Sequence, residues 1–323
     1  MSHFDHQRER AIGGSNARLE TRFGATINGS FDPMTYAGGS LIQDHGIGSY
    51  NGTDFVAESV PAAATVVAQR RTTPLFGLGL VDAVPDDTFK ALAWIERIYT
   101  PASAGKVSAV TDLRSGATVV GKFGWKAQNP TLFQFSGDAY LNEMGITNPQ
   151  FPNENCPQGD CALLAANPVP ALNDDGEDVQ KFTDFMRFLA PPPRGTITLQ
   201  VQAGELVFNA IGCANCHVGT LTTGHNTIAA LDRVRFHPYS DFLLHDMGTL
   251  ADGITQGTAT GQLMRTAPLW GLRAQTRLLH DGRAGTPQEA ILAHEGQAAP
   301  ARDRYNRLSP AAKSTLLSFL NSL

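Results

Sequence analysis

The chain has 323 residues, enough for one large or two modest domains, and 42 % of them are hydrophobic, enough to fill a core. A net charge of −5 argues against a nucleic-acid partner, which would call for a basic face. No apolar run approaches the roughly 18 residues of a membrane span, and the opening "MSHFDHQRERAIGG" lacks the apolar stretch of a signal peptide.

In chain order, residues 1–75 read as loop, rich in turn formers and poor in periodicity. Gly46-x-Gly48 has no strand–GxGxxG–helix context, so a nucleotide loop is set aside. "PLFGLGLVDAVP" (74–85) reads as a buried turn region and 86–99 as a short helix. Residues 122–149 mix aromatics with helical spacing. Cys156 and Cys161 lie among Pro, Gly, Asn and Asp, a surface loop that suits a short disulfide in an oxidising compartment or two free thiols otherwise. Residues 177–190 form a clearer helix, with Val179, Phe182, Met186 and Leu189 on one face. The acidic "NDDGED" before it departs from a calcium-loop pattern and suits a helix N-terminus.

"APPPRGT" (190–196) stops that helix and stiffens the chain, which predicts a boundary between an N-terminal region, 1–195, and a C-terminal domain, 196–323. Beyond it "QAGELVFNAIGCANCH" reads as a helix running into a motif. Thr286, Pro287 and Glu289 make a capping box with Pro at the first helical position. Ser309 and Pro310 open a last helix with Leu316, Phe319, Leu320 and Leu323 on its apolar stripe.

The chemistry is concentrated in "GCANCH" (212–217). Two thiols three apart reach the two vinyl groups of one haem as thioethers, and the adjacent His217 then faces the iron. A zinc site needs four ligands in matched pairs, and the other cysteine pair has a different spacing. A redox dithiol expects a strand before the motif, where a helix is predicted. Haem c, one covalent site held by Cys213 and Cys216, is therefore the favoured cofactor. For the sixth iron position the candidates downstream are His225, His237, His245, Met247, Met264, His280 and His294, and spacing does not choose among them.

"PLFGLGLVDAVP", "GKFGWKAQNPTL", "EMGITNP", "GCANCHVGTL", "PYSDFLLHDMG", "MRTAPLWGLR" and "LLHDGRAGTPQEAILAH" together resemble the bacterial di-haem oxidoreductase family, from about residue 12 to the end of the chain. That family is distantly related to di-haem cytochrome c peroxidases and MauG-like enzymes. The resemblance implies a His-Asp-Gly turn, here His280–Gly282, followed by a helix bearing the distal iron ligand, here His294, with Met264 and then Met247 as alternatives. It implies that Glu143 of "NEMG" serves as acid–base group of a peroxidatic haem. Arg265 and Arg283 become propionate partners, and backbone oxygens of 265–268 become a site for calcium between domains. Trp125 and Trp270 lie either between redox centres or in the core.

The family carries an earlier Cys-x-x-Cys-His, whereas the first cysteine here is Cys156; the start of this chain resembles the part of the family just after that first site. A chain beginning partway through its first domain is the expectation. The expected fold is mainly α: a cytochrome c-like domain at the C-terminus, preceded by a loop-rich, partial cytochrome c-like domain with insertions. The expected function is haem-based electron transfer in the periplasm or another extracytoplasmic space, exchanging electrons with a redox partner protein or a small donor or acceptor. Two versions compete: a di-haem, peroxidase-like oxidoreductase, and a mono-haem carrier closed by two histidines.

Overall fold

The computed structural model describes residues 19–38 and 41–323. The expectations resting on residues 1–18 lie outside them. The described chain opens with strands. β1 (Leu19–Ile27) and β2 (Ser30–Asp32) form a hairpin closed by Asn28-Gly29, both at positive φ. β3 (Gly48–Tyr50) and β4 (Thr53–Phe55) form a second, closed by Asn51-Gly52, again both at positive φ. Asn-Gly is the pair that tolerates this mirror-image turn, whose twist matches that of the strands. β5 (Val66–Arg71) pairs antiparallel with the other edge of β1, giving a three-stranded sheet in the order β2-β1-β5.

Helices α1 (Leu78–Asp82) and α2 (Asp86–Tyr99) follow, then a hairpin of β6 (Ser108–Thr111) and β7 (Thr118–Gly121). Helix α3 (Leu132–Met144) is capped by Thr131, whose side chain accepts from the backbone N–H of Gln134, and α4 (Glu177–Phe188) lies beside it. Phe89, Leu132 and Met186 are fully buried where these helices meet; each such side chain contributes about 1.5–3 kcal/mol of burial. Their core also takes in Leu221, Phe236, Phe242 and Trp270, so it draws on both sides of the Pro-rich connector.

After the connector, α5 (Leu199–Ala210) leads into the Cys-x-x-Cys-His turn. Two small sheets follow: β8 (Leu221–Thr222) with β9 (Arg235–Phe236), and β10 (Leu244–Asp246) with β11 (Leu263–Arg265). The chain closes with α6 (Pro287–Leu292), α7 (Ala299–Arg307) and α8 (Pro310–Leu320). Helix α8 packs on α5 through the predicted stripe: Leu316, Phe319, Leu320 and Leu323 are all buried, and the Phe319 and Phe208 rings lie 5.2 Å apart.

The expectation of a mainly α fold with cytochrome c-like domains is overturned. The structure is 37 % helical and 17 % strand, spread over several small sheets, and the stretch 196–323 contains β8–β11 as well as helices. The N-terminal strands hid from periodicity because their signals are polar. β5 reads "VVAQRR" and turns Arg70 and Arg71 inward, so charged residues occupy positions where a strand pattern expects apolar ones.

Arg70 is one part of a buried charge cluster. Asp252 sits between Arg70 Nε at 2.6 Å and Lys126 Nζ at 2.9 Å, and all three side chains are nearly sealed from solvent. Lys126 Nζ also donates to the carbonyls of Thr260, Gly261 and Leu263 at 3.2, 3.3 and 2.7 Å. This cluster ties β5, the turn at Lys126 and the 252–263 segment into one unit.

Candidate functional site

Gly212 ends α5 at φ 87°, a conformation only glycine adopts readily, and turns the chain into the single turn Cys213–Asn215. Cys213 and Cys216 are free thiols, and with His217 they line one cavity of about 510 Å³. That volume lies within the roughly 300–1,000 Å³ of small-molecule and cofactor sites. The walls are mostly apolar, from Leu78, Phe208, Leu269, Leu272, Leu278 and Ile291.

The imidazoles decide what the cavity can hold. His217 Nδ1 lies 2.9 Å from the carbonyl of Tyr239, and His294 Nδ1 lies 2.6 Å from the carbonyl of Ala290. A carbonyl only accepts, so each Nδ1 carries the hydrogen and each Nε2 keeps its lone pair. Burial pushes His217 down to about 4, opposed by its bond to Tyr239 and assisted by the nearby His294. Burial lowers His294 as well. Both rings are thus neutral, lone-pair donors at neutral pH, the form a metal needs. Capping sets the position of His294. The Thr286 side chain accepts from the backbone N–H of Glu289 at 3.2 Å, and α6 then delivers His294 two residues past its last turn.

His245 and His280 also line the cavity, and their roles differ. His245 spends both nitrogens: Nε2 lies 2.9 Å from Asp241 Oδ2 and Nδ1 lies 3.5 Å from Cys216 Sγ. Burial disfavours its charge, but Asp241 overcomes this and raises it well above the ordinary histidine value. His280 is pushed down to about 4 by burial and sits edge-on to Trp125 at 6.2 Å. Burial raises both thiols, Cys213 to about 12.

Two arginines supply positive charge. Arg265 is buried and lines the cavity, donating to the carbonyls of Gly124 at 2.7 Å and Thr266 at 3.1 Å, with no ion pair to a carboxylate among the described residues. Burial pulls it down to about 10, partly offset by Asp241. Arg71 is tied to Gln275 and to the carbonyl of Arg277, yet its buried Nε has no hydrogen-bond partner. An orphaned guanidinium N–H and an uncompensated buried arginine beside an apolar cavity suit a ligand with acidic arms. Haem fits this set: two thiols for its vinyl groups, imidazole lone pairs for its iron, guanidinium groups for its propionates and an apolar wall for its ring.

The structure therefore gathers Cys213, Cys216, His217, Met247, Met264, Arg265 and His294 around one cavity. Two candidate residues stand elsewhere, and one candidate group on the cavity wall is already engaged. Glu143 is in the last turn of α3 and does not line the cavity. Arg283 is exposed and paired with Asp281. The carbonyl of Thr266, proposed for calcium, already accepts from Ser240 Oγ at 2.8 Å and from Arg265. Trp125 lines the cavity wall, whereas Trp270 packs in the core with Phe236. Cys156 and Cys161 are joined in a disulfide. Arg71, Asp241 and the Tyr239 carbonyl were missed by sequence reasoning. Only Asp241 left a signal there, four residues before His245 in "SDFLLHD".

No helix among the described residues is long and apolar enough to cross a membrane. Among solved structures, the chain is similar to hydrazine synthase of Kuenenia stuttgartiensis, at 14 % identity and a TM-score of 0.35, with 84 % of this chain and 100 % of that one covered. It is also similar to a MauG-like protein associated with microbial copper homeostasis, at 16 % identity and a TM-score of 0.37, covering 78 % and 90 %. A search of curated proteins finds no match. The family model described as "Di-haem oxidoreductase, putative peroxidase" matches residues 53–323, so the chain belongs to the di-haem oxidoreductase family.

Proposed function

We infer that this chain carries one haem c and passes electrons through it. Cys213 and Cys216 would hold the haem as thioethers, and His217 and His294 would supply imidazole nitrogens to its iron. One observation carries the reading: two buried imidazoles, each with Nδ1 committed to a carbonyl, line the same cavity as two free thiols three residues apart. When bound, haem supplies one-electron chemistry, and two histidine ligands hold its potential low relative to a methionine-ligated site. Arg265 and Arg71 would bind its propionates, and the apolar wall would keep water from the ring.

Two protein ligands leave no position for peroxide, so at this site a carrier is favoured over an enzyme. A peroxidase-like activity is the alternative; it requires a second haem, with Glu143 as that haem's acid–base group. Extracytoplasmic residence follows from covalent haem attachment, and the Cys156–Cys161 disulfide supports it. The partner is a redox protein or a small electron donor or acceptor.

A second reading has one observation in its favour. Cys216, Asp241 and His245 hold their ligand atoms within 4.8 Å of one another, the only such group among the described residues. Zinc would use these three. A pyridine haemochrome assay on protein matured with haem separates the two readings: one haem c per chain is expected, and no haem with stoichiometric zinc would overturn the reading.

A further inference from the structure

Tyr239 is a bulky residue in a conformation that suits glycine. Its φ is 51°, in the left-handed region, where few residues other than glycine, asparagine and aspartate settle. A side chain of this size stays there only when its surroundings hold it. The peptide unit joining Tyr239 to Ser240 meets the motif with both of its polar groups. Its carbonyl accepts from His217 Nδ1 at 2.9 Å, and its N–H donates to the carbonyl of Val218 at 3.0 Å. The unusual backbone and the His217 imidazole therefore form one structural unit.

The side chain supplies the hold. Tyr239 is buried, and its ring stands edge-on to Phe208 and Phe319, with centroids 6.1 and 5.4 Å away. Its hydroxyl donates to Glu205 Oε1 at 2.7 Å and accepts from Arg194 Nη1 at 3.2 Å. Arg194 is anchored in turn through Nη2 on Ser322 Oγ at 3.0 Å. Helix α5, the Pro-rich connector and the end of the chain thus converge on one phenol. Packing alone would ask only for an apolar ring here. A hydroxyl held between two charged side chains also fixes the depth and rotation of that ring.

We propose that Tyr239 is a positioning residue for His217: its side chain, anchored by Glu205 and Arg194, holds its own backbone left-handed, turns its carbonyl onto His217 Nδ1 and so decides which imidazole nitrogen faces the cavity. The part of this that concerns iron rests on the haem reading. A carbonyl on Nδ1 makes Nε2 the more basic nitrogen, and a more basic ligand favours oxidised over reduced iron. Releasing the carbonyl should raise the potential of the loaded protein.

Two substitutions separate aiming from packing. Tyr239→Leu keeps apolar bulk but has neither anchor nor ease at positive φ. Tyr239→Gly loses all the bulk yet adopts positive φ freely. The first readout needs no haem: histidine-labelled ¹⁵N spectra of the haem-free chain at pH 7, with the His217 signal assigned by its loss in His217→Gln. Wild type and Tyr239→Gly should show His217 protonated on Nδ1; Tyr239→Leu should add the Nε2-protonated form. The second readout is the midpoint potential of haem-loaded protein. Tyr239→Leu should raise it by a tenfold change in the one-electron equilibrium, about 59 mV, and Tyr239→Gly by less than half of that. Tyr239→Phe keeps the ring and serves if either variant fails to fold; it should fall between wild type and Tyr239→Leu in both readouts. A glycine variant that disturbs His217 as much as the leucine variant would reduce Tyr239 to a packing role and overturn the proposal. So would an unchanged tautomer in both Tyr239→Leu and Tyr239→Phe. Tautomers that respond as expected in a chain that binds no haem would uphold the positioning role and bring down the haem reading instead.

Discussion

His217 and His294 are held by the same device from opposite ends of the motif region: each gives its Nδ1 hydrogen to a backbone carbonyl, Tyr239 in one case and Ala290 in the other, at 2.9 and 2.6 Å. A ring fixed in this way presents one tautomer and one orientation, which is how a second shell prepares a metal ligand. Because His294 sits past the end of α6 and lines the cavity, His294→Ala removes the imidazole and leaves the helix and its cap in place. The visible spectrum should turn from low-spin to partly high-spin. A spectrum that stays low-spin would transfer the ligand role to Met264, which lines the same cavity.

Arg265 supplies a second test. Its guanidinium is buried without an ion-pair partner among the described residues. A bound propionate would supply the missing charge, and hydrogen bonds to charged groups contribute about 1.5–3 kcal/mol. Arg265→Gln should therefore lower the stability of haem-loaded protein by more than it lowers that of the haem-free chain. Thermal melts with and without haem measure the difference; equal losses would remove Arg265 from the haem site.

The Asp252 cluster is testable through stability alone. Asp252→Asn leaves Arg70 and Lys126 buried beside a neutral amide, and removing one partner from a buried ion pair costs about 3–5 kcal/mol. Urea denaturation of the haem-free chain should show a loss of that order. A loss below about 1 kcal/mol would mean that water reaches the cluster in solution.

Glu96 gives the pH dependence a direction. Burial, with the Asp241 charge next in weight, raises its carboxyl from the ordinary 4.5 to about 7. A carboxyl that holds its proton more tightly when folded makes stability fall as pH climbs between those two values, and adds no further fall above them. Urea midpoints of the haem-free chain at pH 5 and pH 7 should drop more for the wild type than for Glu96→Gln. Parallel drops would show that Glu96 ionises as it does in water.

Cys156→Ser combined with Cys161→Ser tests the disulfide. Closing so short a loop restrains the unfolded chain by about 2 kcal/mol. Stability should fall by that amount while haem content is unchanged, because neither residue lines the cavity.

The candidate site was far more legible in the sequence than the fold. Cysteine spacing is local and led to Cys213, Cys216 and His217; His294 came from the family resemblance, with a local capping box marking its helix, and the cavity brings the four together. Helices with clear stripes were legible for the same reason: the one expected over 86–99 runs Asp86–Tyr99, and α8 buries the stripe read for it. The strands were not. β1 meets β5 across more than forty residues, and the inward arginines of β5 are intelligible only once Asp252 and Gln275, far along the chain, are known to face them. The Asn-Gly turns of both hairpins were in plain view, but a turn pair signals a hairpin only when the flanking strands alternate, and these alternate poorly.

Lys126 has a consequence for how this molecule keeps its shape. Its ammonium, surrounded by three carbonyls and a carboxylate, occupies the kind of oxygen cage that elsewhere receives a bound metal ion. Here the cation is covalently part of the chain. A chelator cannot strip it, dilution cannot release it, and the neighbouring wall residues Trp125, Met264 and Arg265 stay in register without drawing on the ion supply of their surroundings.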